Sequence, residues 1–112
     1  MKHEHLQPTY RILDDCEAMR GTSLQGHLTV SYTQLTHLFG EPLQGDGRKV
    51  DVQWIIETDA GIGTVYNYNL GEQAEVVEEI TDWHVGGKDA AAYQSIVAFV
   101  QGNEENRSMA DE

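Results

Sequence analysis

Apolar and polar positions change their period several times along the chain, and each change marks an element. Over residues 24–30, Leu24, Gly26, Leu28 and Val30 alternate with Gln25, His27 and Thr29, the two-residue period of a strand with one buried face. The period then lengthens. Ser31 stands three residues before Gln34 in capping-box spacing, Leu35, Leu38 and Phe39 form an apolar stripe, and Gly40 stands before Glu41-Pro42, so a short helix is predicted. After the glycine-rich turn Gly45-Asp46-Gly47, the alternation of Val50, Val52, Trp54 and Ile56 with Asp51, Gln53, Ile55 and Glu57 predicts a second strand. Thr58-Asp59-Ala60-Gly61 turns it into a third strand over residues 62–70, a hairpin.

Residues 71–79 fit a short acidic helix or the approach to a strand, and are read as a loop. Residues 80–85 predict a fourth strand, with Trp83 and Val85 on one side and Asp82 and His84 on the other, ended by Gly86-Gly87. Tyr93, Ile96, Val97 and Val100 then fall at i, i+3, i+4 and i+7, a helix over residues 88–101 stopped by Gly102. The order β-α-β-β-β-α, with tight turns, predicts an α+β fold: a small, mostly antiparallel sheet of about four strands with two helices on one face. Residues 1–21 offer a core only Tyr10, Ile12 and Leu13 and are expected to form a flexible N-terminal arm. Residues 102–112 lack periodic apolar positions and are expected to form a disordered acidic tail, leaving residues 22–101 as the domain.

A chain of 112 residues suits one such domain, and 39% hydrophobic with 23% charged residues is globular composition. Nineteen acidic against seven basic residues give a formal net charge of -12, which repels nucleic-acid phosphates and anionic membranes. Direct nucleic-acid binding and membrane association are therefore not expected. A partner with a basic surface is attracted instead, although such charge also serves solubility. Cys16, the single cysteine, has no internal disulfide partner, and no apolar signal-peptide core or membrane span is visible, so a cytoplasmic setting is expected.

Few residues of the chain offer catalytic or metal chemistry. His3, His5, His27, His37 and His84 match no zinc spacing, so neither metal nor cofactor is expected. Cys16 lies among acids that oppose thiolate formation, and Ser31 is a helix cap without a nucleophile elbow around it. Two features point to binding. Gly86-Gly87, after Trp83 and His84, stands where backbone N–H groups at a helix start hold an anion, although a tight strand-to-helix turn needs the same glycines. Tyr66-Asn67-Tyr68-Asn69 sets two tyrosines on one strand face and two amides on the other, where packing is the plainer account. Glu72, Glu75, Glu78, Glu79 and Asp82 form a candidate acidic partner surface, or a solvated face.

His27-Leu28 before Tyr32, Phe39-Gly40-Glu41-Pro42, Trp54-Ile55-Ile56, Gly63-Thr64-Val65-Tyr66-Asn67-Tyr68 and Trp83-His84-Val85-Gly86-Gly87 occur in that order. This series resembles a group of small tailed-bacteriophage proteins with FGEP-like, W-[IV]-[IL], IY[ND]-like and WHIGG-like landmarks. It spans roughly residues 22–101; residues 71–79 and both extensions lie outside it. The resemblance implies no activity, but it implies a setting in which a small acidic protein in the host cytoplasm binds and modulates a host protein. An anti-defence or nucleic-acid-mimic inhibitor is one form of this. The alternative is a small-ligand binder or sponge for an anionic nucleotide, and a hydrolase using His84 and Asp82 stands behind both. The sequence leaves a homodimer open.

Overall fold

The computed structural model describes residues 10–45, 49–68 and 76–110. The helix α1, Tyr32–Phe39, forms where its local signals put it: Ser31 Oγ accepts the Gln34 N–H at 3.1 Å, and Gly40, at φ 86°, takes the left-handed conformation that favours glycine. The helix α2, Ala90–Ala110, has a helical backbone that runs past Gly102, where the sequence places a stop.

The strands are β1 (Tyr10–Leu13), β2 (Ser23–Thr29), β3 (Leu43–Gln44), β4 (Val52–Thr58), β5 (Gly61–Tyr66) and β6 (Asp82–Gly87). They form one six-stranded sheet in the order β1-β4-β5-β6-β2, with β3 also on β4 and every pairing antiparallel. The sheet thus has six strands where the sequence predicts about four. Both additions lie on the outer edge of β4, with Tyr10 opposite Thr58 and Leu13 opposite Ile55 for β1, and Leu43 opposite Gln53 for β3. Four-residue and two-residue strands carry too little alternation to be seen locally; pairing with β4 defines them.

One face of the sheet carries the core. Trp54, Ile56, Val65, Trp83 and Val85 meet Leu35 and Phe39 of α1 and Ile96 and Val100 of α2. The two indoles pack edge to face with centroids 5.5 Å apart, and each donates its N–H to a carbonyl flanking α1, Trp83 to Val30 at 2.9 Å and Trp54 to Gly40 at 2.8 Å. Both ends of α1 are thereby fixed to the sheet with the buried indole donors satisfied. Tyr10 closes the far side of this layer, its ring 5.5 Å from that of Phe39 and 4.4 Å from that of Phe99, and its hydroxyl donates to the Leu38 carbonyl at 2.9 Å. Part of the expected N-terminal arm is therefore an edge strand with its own anchor.

The chain leaves β1 at one edge of the sheet and enters β2 at the other, so residues 14–22 cross the second face. A 3-10 turn at Cys16–Met19, capped by Asp15 accepting the Glu17 N–H, lies against β4 and β5. This crossing gives the second face a wall.

Candidate binding face

The residues expected to bind separate into three groups. Trp83 is fully buried in the core with its N–H bonded, so its indole is held by the fold. Asn67 is also buried: its Oδ1 accepts the N–H groups of Asp51 and Val52 at 2.8 and 3.1 Å, and its Nδ2 donates to Asp51 Oδ2 at 2.9 Å. That amide clamps the end of β5 to the start of β4. Asn69, Glu72 and Glu75 lie outside the described residues, as do His3, His5 and the Asp46-Gly47 part of the predicted turn.

Gly86 and Gly87 belong to β6 itself, flanked by β5 and β2 on either side. They are not a loop with free N–H groups. The N-terminus of α2 already holds a carboxylate, since Asp89 Oδ1 accepts the Ala91 N–H at 2.9 Å. The two glycines serve opposite faces. A Cβ at Gly87 would meet Ala92 at 3.5 Å beneath α2, whereas one at Gly86 would lie 2.7 Å from Thr64 Oγ1 and 3.2 Å from the Ser23 carbonyl oxygen, on the second face.

Tyr66, His84 and Tyr68 are brought together on that second face. The His84 ring stacks on Tyr66 with centroids 5.5 Å apart and 17° between planes, lies 5.4 Å from Tyr68, and meets His27 edge to face at 4.6 Å. Lys49 Nζ lies 5.8 Å from the Tyr68 ring centroid. His84 Nδ1 is buried with no hydrogen-bond partner among the described residues. Burial, and then the neighbouring His27, lower the His84 pKa below its ordinary value, with Asp82 opposing them. Burial, followed by Tyr68, raises the pKa of the Tyr66 hydroxyl, which stays a hydrogen-bond donor.

Beside this ring cluster the face opens into a pocket of about 170 Å³. Its floor is Gln53, Thr64 and Gly86, with Met19 and Thr22 of the crossing segment on one side and Val50 and Tyr66 on the other. Sequence reasoning misses Gln53 and Thr64. On an isolated strand Gln53 reads as a polar position opposite the core and Thr64 falls on one side with Ile62 and Tyr66, and only the chain crossing above them makes a pocket.

Among the acids, Glu78 and Glu79 occupy a 3-10 turn at Val77–Glu79 and Asp82 begins β6, all three exposed. Tyr32 lies between this turn and Glu41. Its pKa is raised by burial first and then by Glu41 and Glu78. The ion pairs of Arg11 with Glu57 at 2.7 Å and of Arg20 with Glu17 at 3.8 Å lie elsewhere, and Glu41, Glu78, Glu79 and Asp82 have no cationic partner among the described residues. No group of three potential metal ligands converges among the described residues, and no helix there is long and apolar enough to cross a membrane. Comparison with protein-family models, curated proteins and solved structures finds no match for this chain.

Proposed function

We propose that this protein acts by binding rather than catalysis, and that it takes up the basic surface of a partner protein at the acidic end around Tyr32. The observation that carries this reading is the set Glu41, Glu78, Glu79 and Asp82, exposed and without cationic partners among the described residues, in a chain of net charge -12. Carboxylates already paired internally contribute little to a partner, whereas uncompensated ones steer a basic surface and set its orientation. Tyr32 adds aromatic area backed by the two tryptophans, with ring centroids 6.0 Å from Trp54 and 6.3 Å from Trp83, a setting for an arginine or lysine side chain. The resemblance to small tailed-phage proteins supports a host protein as the partner, inhibited or redirected by being occupied.

The test is capture of partners from host lysate at about 50 mM and about 500 mM salt, since screening lengths at these strengths separate exposed charge contacts from apolar ones. Capture that is lost at high salt, and lost at low salt on replacing Glu78→Lys and Asp82→Lys together, supports the reading. Capture indifferent to both changes overturns it.

A further inference from the structure

The pocket on the second face belongs to no part of that acidic end, and its chemistry is different. Among the described residues, all its lining side chains are uncharged. Gln53 is only 8% exposed and Thr64 only 3%, so two polar side chains more than nine-tenths buried face an opening in the middle of a sheet. The Thr64 hydroxyl has no partner among the described residues, and the Gln53 amide has only a 3.4 Å donation to the Gln44 carbonyl, at the long end of hydrogen-bond range. Buried polar groups are normally satisfied, and a cluster left open toward a pocket points to a ligand that completes it. The absent side chain of Gly86 keeps that opening, because a methyl there would crowd Thr64 Oγ1.

The geometry points to a binding site for an uncharged heterocyclic amide of one or two rings, the nucleobase class, held by Gln53, Thr64 and Tyr66. A glutamine amide presents one acceptor and two donors in a plane and matches the paired donor–acceptor edge of such a ring. Thr64 and Tyr66 add hydroxyls, and Met19 and Val50 supply apolar walls. About 170 Å³ is smaller than the pockets that enclose drug-sized molecules, roughly 300–1,000 Å³, and suits a single base. The lining offers no cation for a phosphate among the described residues, and the field of a chain at -12 opposes one, so the free base binds in preference to its nucleotide. The ligand is thus uncharged, where the alternative drawn from the sequence is an anionic nucleotide.

The experiment is a titration of the ¹⁵N-labelled full chain with adenine, cytosine and uracil, and separately with their 5′-monophosphates, following the backbone amides of Thr64 and Gly86. At least one free base moves these signals saturably, its monophosphate binds about tenfold more weakly or worse, and Thr64→Val weakens the base about fivefold or more while signal dispersion is kept. The inference is overturned if none of the three bases gives a saturable shift at these amides up to its solubility limit. It is overturned equally if a monophosphate matches its base, which would mean a phosphate subsite, or if Thr64→Val leaves the affinity unchanged. The wild-type titration decides the matter even where the variant folds poorly, and none of these outcomes bears on lysate capture at the acidic end.

Discussion

His84 is held in an environment that disfavours its charged form: its ring is packed among Tyr66, Tyr68 and His27, and its Nδ1 is buried. Because its pKa is lower in the fold than its ordinary value of 6.5, the unfolded chain takes up the proton first as pH falls. The stability contributed by a neutral His84 is fully present above that ordinary value and declines below it. His84→Phe keeps a ring against Tyr66 and cannot protonate, so it is expected to lose less stability than the parent between about pH 7.5 and about pH 5.5. Urea unfolding at both pH values measures this, and equal losses would show that His84 does not couple to folding. That His84 and Asp82 share one face and Trp83 and Val85 the other follows from alternation alone. The role of Asn67 does not, because its partners, Asp51 and Val52, are 16 and 15 positions away and no local period connects them.

At the scale of elements, legibility follows sequence separation. The cap and stop of α1 are encoded within a few residues of the helix, and the β4–β5 hairpin within its turn, where Thr58 Oγ1 donates to the Gly61 carbonyl at 2.7 Å and accepts the Ala60 N–H at 3.0 Å. Inward and outward sides of β5 are harder to read. Gly63 and Val65 face the helices, while Thr64 and Tyr66, which the two-residue period sets on one side with Ile62, Tyr68 and Leu70, face the pocket. A central strand covered on both sides has no polar face to give its orientation. The strand β1 is defined only by long-range contacts, which makes it testable through Tyr10. Tyr10→Ala removes two ring contacts and the hydrogen bond to Leu38, and is expected to cost about 1–3 kcal/mol, against about 0.5–1.5 kcal/mol for Tyr10→Phe, which keeps the ring. Urea midpoints at constant slope give both values. Equal, negligible costs would mean that β1 adds nothing to the stability of the fold.

The whole molecule carries a formal net charge of -12 on a single sheet-and-helix layer pair, and its uncompensated acids repel one another more in the compact state than in the expanded chain. Added salt is therefore expected to stabilise the free protein while it weakens partner capture. Raising NaCl from about 10 mM to about 200 mM shortens the screening length from roughly 30 Å to under 10 Å. The melting temperature should rise by several degrees, about 1 kcal/mol corresponding to roughly 4–8 °C for a domain near this size. A flat or falling melting temperature would show that self-repulsion is not a destabilising term here. The sheet order has a consequence for synthesis as well. The first long strand, β2, has β6 as its paired neighbour, and β6 ends at Gly87, so a chain emerging from the ribosome carries β2 unpaired while almost sixty further residues are made. The β4–β5 hairpin can form during that interval. The strap across the second face, and with it the pocket over Thr64, closes only after nearly the whole sheet has been delivered.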